Sequence, residues 1–482
     1  MSARSLAHVV GAVVAIVGVV MLAPAAVAVV YREWADTAPL VLAAGITFAV
    51  GYGLRRSIGR PRELSTREAF AAVGLVWLLV AVLGALPFLL TGSITSVTNA
   101  VFESASGFTA TGASVVPDPS LLSKGVLFWR ALTQWLGGMG MVVLATAILP
   151  LLGLGALRLA DAEAPGPRAE RVTPRFQSTA RRLWLIFAGF TVLQTVLLAM
   201  GDMTPFEAMV HSFTTLSGGG FSTEAGSLGA FSAYAQWVVI VFMLVGGTSF
   251  ALHGRGLLHP VQYLKSAEFR LYMGIVLLSS AALTAGSWRS GLSTAIRDGT
   301  FTASSILTTT GYATADFGTW LPPLQILIVG LMFVGSMAGS TSGSIKVFRL
   351  AVLYGTTRAY LRRLLHPRAV TIVRFGGSPM SRVIVESVRT FLLLYLFAFT
   401  VGTIGLAFVS SFGPTEVSVP TIVSAVASCL GNVGPGLELV GPTETYLVVP
   451  AAGKWLLSML MIVGRIEILP IVILCNREAW KR

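Results

Sequence analysis

The sequence has few charged residues and almost no cysteine. Only 11% of its 482 residues are charged, whereas 54% are hydrophobic, and the mean hydropathy is +0.78. A soluble domain of this length does not bury so large an apolar fraction. The two cysteines, Cys429 and Cys475, provide no disulfide framework, and they fall toward opposite membrane faces in the span assignment below. The soluble and the disulfide-stabilised classes are therefore excluded.

Motifs of catalysis and nucleotide binding are also missing. The sequence contains no GxSxG, HExxH, CxxC or GxxxxGK[ST] pattern. Its five histidines lack the spacing of metal ligands: His8, His211, His253, His259 and His366. We expect His211 to make a polar contact between helices. An enzyme is not expected.

Long apolar runs take the place of these features. Stretches such as 9–30, 70–90, 126–152 and 183–200 are long enough to cross about 30 Å of hydrocarbon. Ten such runs predict an all-α integral membrane protein with ten transmembrane helices. The first run is too long for the apolar region of a signal peptide, and another follows it closely.

The positive charges are concentrated in alternate connections. Of the 34 lysines and arginines, 27 lie at the two termini and in the connections 55–68, 154–182, 253–270 and 346–389. This alternation follows the positive-inside rule and predicts a multi-pass protein of a bacterial plasma membrane with both termini cytoplasmic. It explains the net charge of +13 without nucleic acid. Twelve acids fall on the outer half, either to attract cations or because bases are excluded there.

Four short segments between long runs align without gaps. They read AVFESASGFTATG (100–112), AMVHSFTTLSGGG (208–220), GTFTASSILTTTG (299–311) and IVSAVASCLGNVG (422–434). Each is too short to cross a membrane, which predicts helix, re-entrant pore helix, helix in four repeats around one pore. We place a two-helix segment at 1–67 and the repeats at 68–160, 161–256, 257–360 and 361–482. One aligned position carries a hydroxyl in all four windows: Ser106, Thr214, Ser305 and Ser428.

The ends of these windows have the composition of a cation filter. Glycine permits positive φ, so that backbone carbonyls replace the water shell of a potassium ion. The predicted filter comprises Thr109, Ala110, Thr111, Gly112, Ser217, Gly218, Gly219, Gly220, Thr308, Thr309, Thr310, Gly311, Gly431, Asn432, Val433 and Gly434. Carbonyls of Thr111, Gly112, Gly219, Gly220, Thr310, Gly311, Val433 and Gly434 are expected to contact K⁺. The alternative is close helix packing through small residues.

The motifs QWLGGMG (134–140), GSMAGSTSGSIKVFR (335–349), CLGNVGPG (429–436) and GRIEI (464–468) add a family resemblance. With the four windows, the chain resembles the Trk/Ktr/HKT superfamily of potassium transporters, specifically the Trk-type ion-translocating subunit. The resemblance covers nearly the whole chain. It implies a carbonyl filter, a homodimer with one pore per subunit and a cytoplasmic ring of nucleotide-binding regulatory subunits. Gly112 favours potassium, because a serine there accompanies sodium preference in plant relatives. Gly218 and Gly219 replace bulkier residues, which predicts a looser second loop.

A second polar interruption lies at 335–344. Glycine and hydroxyl residues break an apolar run there. The resemblance implies an intramembrane gate formed by Gly335, Gly339, Ser340, Thr341, Ser342 and Gly343 together with Arg465. A GxxxG helix contact between Gly339 and Gly343 is the alternative. Lys346 and Arg349 are expected at the cytoplasmic edge.

Arg465 lies deep within the apolar run 446–475, where a charge is costly and requires water, a counter-charge or carbonyls. The resemblance places it in the pore beside the 335–344 segment; a salt bridge with an acid of another repeat is the alternative. Glu467 would point away from it on a helix and needs a partner elsewhere.

Two other functions share this pattern. An ion-binding subunit of an ATP-driven potassium pump has the same four-repeat fold, although GRIEI and the two leading helices argue against it. A sodium-permeable member of the same superfamily is the other. The segment 158–175 is expected to be a poorly ordered linker and a docking surface.

Overall fold

A computed structural model describes residues 3–56, 66–151, 174–287, 291–368, 371–413 and 416–475. These residues are mostly helical. By length and apolar composition, six of the described helices are able to cross a membrane, or seven if one bent pair counts as a single span. Residues 158–173 of the predicted linker and most of the arginine-rich turn after Arg56 lie outside the described residues, whereas Pro174 and Arg175 begin a helix.

The chain begins with a helical hairpin. Its helices are α1 (Ala3–Val20), α2 (Leu22–Val30) and α3 (Trp34–Arg56). Helices α1 and α3 touch through glycines: a Cβ placed on Gly51 would lie 2.3 Å from the backbone nitrogen of Ala15. This close approach is the small-residue packing that holds helices together in lipid.

Four short helices occupy the four predicted windows. They are α6 (Val97–Phe108), α9 (Pro205–Leu216), α14 (Leu292–Leu307) and α18 (Val419–Gly431). Hydroxyl side chains of Ser96, Thr204 and Ser418 cap three of their N-termini. Thr204 forms a full capping box with Glu207. With 12 to 16 residues each, at about 1.5 Å per residue, these helices are shorter than the hydrocarbon core.

A longer helix precedes each short helix, and a second apolar helix follows it. The preceding helices are α4 (Thr66–Leu83, continued by α5, Leu86–Leu90), α8 (Pro174–Ala199), α13 (Ala267–Gly286) and α17 (Arg382–Ser410). The following helices are α7 (Lys124–Leu151), α10 (Ala233–Gly247), α15 (Pro322–Met332) and α19 (Ala451–Arg465). Of the ten expected spans, α15 and α19, with 11 and 15 residues, are shorter than a membrane-crossing helix requires.

Three of the following helices are interrupted. Helix α10 turns by 102° into α11 (Phe250–Gly256), and α12 (Val261–Lys265) comes next. Helix α15 stops at Met332, and α16 (Val347–Leu365) starts after the 335–344 segment. The continuous helix expected over 446–475 is wrong: α19 ends at Arg465, Glu467 and Ile468 take positive φ, and α20 spans Leu469–Cys475. At these interruptions the backbone is not helical, and neighbouring elements provide hydrogen-bond partners for its N–H and C=O groups.

A small hairpin was not anticipated. Strands β1 (Arg374–Phe375) and β2 (Ser378–Pro379) pair antiparallel, and the turn between them is Gly376-Gly377 with φ of 58° and 87°. Glycine at both central positions suits a type I′ turn. The hairpin lies in the connection between α16 and α17.

Candidate ion pathway

The four windows end in loops of the same local structure. In each, the N–H just before the terminal glycine donates to the carbonyl of the aligned hydroxyl residue. The N···O distances are 2.8 Å for Thr111 to Ser106, 2.9 Å for Gly219 to Thr214, 2.8 Å for Thr310 to Ser305 and 2.9 Å for Val433 to Ser428. The register chosen from sequence therefore corresponds to a shared backbone geometry.

Each loop has positive φ at two positions. One is the terminal glycine, with φ of 85° at Gly112, 73° at Gly220, 77° at Gly311 and 109° at Gly434. The other lies two residues earlier, with φ of 49° at Ala110, 68° at Gly218, 55° at Thr309 and 57° at Asn432. Glycine adopts such angles without the strain that a Cβ brings. Gly218 therefore takes its angle in the second loop without that strain.

The loops contact one another in a closed cycle. A Cβ on the terminal glycine of one loop would strike the carbonyl that precedes the glycine of the next. The distances would be 2.2 Å from Gly112 to Gly219 O, 1.8 Å from Gly220 to Thr310 O, 1.9 Å from Gly311 to Val433 O and 2.7 Å from Gly434 to Thr111 O. The fourth loop thus returns to the first, and no side chain fits at any of these four contacts.

The four terminal glycines share one opening. Gly112, Gly220, Gly311 and Gly434 all line a cavity of about 90 Å³. Glu224 and Glu444 lie in its wall beyond the glycines. Two carboxylates beside an opening raise the local cation concentration.

Glu103, one of the twelve acids assigned to the outer half, does not line this opening. Its side chain is fully buried and pairs with Arg130, whose Nη2 lies 2.8 Å from Oε1. The same carboxylate accepts from the Val115 N–H at 2.9 Å and from the Ser114 hydroxyl. The pair is therefore buried, and it ties α6 and α7 to the residues that follow the first loop, with Arg130 reaching the wall of the cavity.

Hydroxyl groups brace the first and third loops in the same way. The Oγ1 atoms of Thr109 and Thr111 lie 2.7 Å apart, and those of Thr308 and Thr310 lie 2.8 Å apart. Asn432 of the fourth loop donates to the Thr111 hydroxyl at 3.0 Å. These groups are buried, so the hydrogen bonds stabilise the loops against collapse.

Gln134 is a support residue that the sequence analysis quoted within a motif but did not assign to the site. Its Nε2 donates to the Gly219 carbonyl at 2.8 Å, and its Oε1 accepts from the Phe221 N–H at 3.1 Å. A Cβ on Gly219 would lie 2.3 Å from the Gln134 amide carbon. Gly219 therefore leaves space for the Gln134 side chain that supports the second loop. A polar glutamine inside an apolar helix is the sequence feature from which this role could have been predicted.

Two tyrosines, also missed, support neighbouring loops. The Tyr312 hydroxyl is hydrogen-bonded to the Thr214 hydroxyl and donates to the Phe221 carbonyl at 3.4 Å. The Tyr446 hydroxyl donates to the Gly434 carbonyl at 2.8 Å. Tyr312 directly follows a filter glycine, whereas nothing local to Tyr446 indicates its role.

The 335–344 segment packs against the loops rather than forming a helix. The Gly343 N–H donates to the Thr309 hydroxyl at 2.8 Å, and the Ser344 hydroxyl donates to the Gly431 carbonyl at 3.0 Å. On its other side, the Ala338 N–H donates to Glu268 at 2.6 Å. The GxxxG helix alternative is wrong, because Gly339 has φ of 78° and no helix spans these residues. None of the described residues 335–344 lines the outer cavity.

Arg465 contacts this segment. Its Nη1 donates to the Thr341 carbonyl at 2.7 Å and its Nη2 to the Gly137 carbonyl at 3.3 Å. The side chain is 1% exposed. Among the described residues, the hydrogen-bond partners of Arg465 are backbone carbonyls, which were one of the kinds of partner expected for a charge at this depth. The alternative, a salt bridge with an acid of another repeat, does not occur among them. The arginine thereby joins α7 to the 335–344 segment.

Lys346 and Arg349 are not at an exposed edge, contrary to expectation. Lys346 is buried and donates to the Ser342 carbonyl and, at 3.0 Å, to the Ser342 hydroxyl. Arg349 pairs with Glu467, with Nη2 2.6 Å from Oε2. The partner that Glu467 needs is therefore on α16. Lys346, Arg349 and Glu467 lie next to the predicted gate residues, which include Arg465.

The remaining polar candidates are internal. His211 bonds the Glu207 carbonyl of its own helix at 2.8 Å and the Ser222 hydroxyl of the following loop at 3.0 Å. Its polar contact therefore joins a helix to a loop and not two helices. Cys429 is a buried free thiol. Within the described part of the chain, no group of three or more His, Cys, Asp or Glu side chains is placed to hold a metal ion.

Short helices ending on a cycle of glycine loops, within a set of membrane-length helices, define a polytopic membrane protein of the ion-conducting class. The family model described as a cation transport protein, TrkH, matches residues 40–267 and 289–479. The chain is 38% identical to the Trk system potassium uptake protein TrkH of Vibrio parahaemolyticus and 35% identical to that of Halomonas elongata, over all of each chain. The crystal structure of the potassium transporter TrkH from Vibrio parahaemolyticus superposes with a TM-score of 0.91, at 36% identity over both full lengths. The chain belongs to the TrkH family of cation transport proteins.

Proposed function

We propose that this protein takes up potassium across a bacterial plasma membrane through one pore within the subunit. The single observation that carries the proposal is the closed cycle of contacts among the four glycine loops. The relatives indicate the ion, because each of those named above is a potassium uptake protein or potassium transporter. The pore belongs to a fold of ten spans and four repeats, with both termini cytoplasmic.

The filter chemistry follows from the backbone. Carbonyls of Thr111, Gly112, Gly219, Gly220, Thr310, Gly311, Val433 and Gly434 replace the hydration shell of K⁺. Four short helices end at these loops, and their C-terminal dipole ends favour a cation over an anion. The buried threonine pairs hold the carbonyls at fixed spacing, which is how a site distinguishes ions of different size.

The gate is the 335–344 segment together with Arg465. The segment touches the inner ends of the third and fourth loops through Thr309 and Gly431. A fixed guanidinium beside it raises the barrier to cations. Opening requires the segment to leave its contacts, a shift that a cytoplasmic partner would bias. Following the family resemblance, the working assembly is a homodimer bound to a ring of nucleotide-binding subunits.

Cation uptake by the purified protein in liposomes tests the function. Potassium and rubidium should enter faster than sodium, and protein-free liposomes should take up none of the three. Equal sodium uptake would favour the sodium-permeable alternative. Transport that appears only with a copurified ATPase would favour the pump subunit.

A further inference from the structure

A large basic cleft opens beside α16, away from the ion pathway. Its volume is about 1250 Å³. One wall is apolar, with Leu271 and Ile275 from α13 and Leu350 from α16. The other carries Arg358 and Arg362 of α16 and Arg374 of β1. Neither the filter loops nor the 335–344 segment lines it, so the proposed function leaves the cleft unexplained.

The cleft lies at the level of a bilayer interface. Helix α13 is a candidate membrane span that begins at Ala267. At about 1.5 Å per residue, Leu271 and Ile275 lie within its first 12 Å or so. Leu278 continues the same helix face and is 75% exposed. An apolar track therefore runs from the cleft toward the hydrocarbon core.

The charge of the cleft is of one sign. Arg358 and Arg362 are four residues apart on one face of α16, and Arg374 faces the same space from the hairpin. All three are exposed, and none of the described lining residues is acidic. Guanidinium groups bind phosphate in a bidentate manner. Tyr354, 70% exposed in the same lining, is of the type that anchors proteins at lipid headgroups.

We propose that this cleft is a binding site for an anionic phospholipid. The phosphate lies against Arg358, Arg362 and Arg374, and an acyl chain follows Leu271, Ile275 and Leu278. The apolar track favours a lipid over a free phosphate or a nucleotide, which would leave that wall without a partner. The arginines belong to the basic connection 346–389, which is expected on the cytoplasmic side. The bound lipid would therefore lie in the cytoplasmic leaflet, where anionic lipids attract basic segments.

Lipid binding to the purified full-length protein in neutral detergent tests the site without reference to transport. Native mass spectrometry would compare phosphatidylglycerol with phosphatidylcholine. The wild-type protein should prefer phosphatidylglycerol. The triple variant R358Q/R362Q/R374Q should lose affinity for it on the order of fivefold per arginine, with phosphatidylcholine binding unchanged. R382Q is the matched control, because Arg382 is an exposed arginine at the start of α17 that does not line the cleft.

Three results would overturn the proposal. In the first, the triple variant and the single variant R362Q, each melting like wild type, bind phosphatidylglycerol unchanged. In the second, millimolar inorganic phosphate or ATP displaces the lipid, which would indicate a soluble phosphate ligand. In the third, the triple variant changes the mass of the oligomer measured by light scattering while lipid binding stays the same, which would make the cleft a protein interface.

Discussion

At the scale of single residues, the loop glycines leave no room for a side chain. Gly311 has φ of 77°, and its added Cβ would lie 1.9 Å from the Val433 carbonyl. The left-handed angle alone costs a branched residue roughly 1–3 kcal/mol, and the carbonyl would have to move. We expect Gly311→Val to abolish potassium uptake or its selectivity in liposomes, and equivalent changes at Gly112, Gly220 and Gly434 to do the same.

Gly274→Val is the matched control. Gly274 is a membrane-helix glycine whose added Cβ has nothing within 4 Å, so this variant should transport at the wild-type rate. If the loop variants also transport at wild-type rate and selectivity, the four glycines serve packing only.

Arg465 is the second residue whose removal should change transport. Arg465→Ala deletes the guanidinium that binds the Thr341 carbonyl, so both the proposed positive barrier and a hydrogen bond to the proposed gate are lost. We expect faster and less regulated potassium uptake, measured as initial rate in liposomes with and without the proposed regulatory subunits. A well-folded but inactive variant would mean that Arg465 holds the pore together.

Glu467→Ala is the comparison variant. It leaves Arg349, 7% exposed, without its carboxylate, and removing one partner of a buried pair costs about 3–5 kcal/mol. A lower melting temperature with little gain in flux is therefore expected. That outcome would assign a structural role to Glu467 and distinguish it from the gating role proposed for Arg465.

At the scale of elements, the proposed control of ion flux depends on the non-helical 335–344 segment that separates α15 from α16. The 335–344 segment is held by its Gly343 contact to Thr309 and its Ala338 contact to Glu268. Deleting Gly339 and Ser340 should break this docking and raise basal potassium flux, because the closed state loses its contacts. The flux would be measured without the regulatory subunit. A folded deletion variant with unchanged basal flux would show that the segment is not a gate.

At the scale of the whole molecule, the charge pattern sets the orientation. Ser120, in the connection after the first loop, and Ser378, in the hairpin, are both exposed. In a background with Cys429 and Cys475 replaced by serine, Ser120→Cys should react with a membrane-impermeant maleimide on intact cells. Ser378→Cys should react only after permeabilisation. The reverse pattern would invert the proposed topology.

The sequence alone was sufficient for features that depend on local composition. Apolar runs mark the membrane helices because the bilayer selects for length and hydrophobicity. The four windows align because each repeats the same turn, from Thr111 bonding Ser106 to Val433 bonding Ser428. The interruption at 335–344 was recognisable because glycine and hydroxyl residues do not sustain a helix, whereas its proposed role as a gate came from the family resemblance.

Only the tertiary structure decided which distant groups meet. The pairing of Glu103 with Arg130, of Glu467 with Arg349, and of Gln134 with Gly219 joins different elements. Glu103, Arg130 and Arg349 are buried, and Glu467 is half-buried, because each has such a partner. The cyclic order of the four loops is of the same kind, since it depends on how the helices pack. Hydrophobicity, turn preference and glycine content act within a few residues of sequence, whereas partner choice depends on the three-dimensional fold that brings remote residues together.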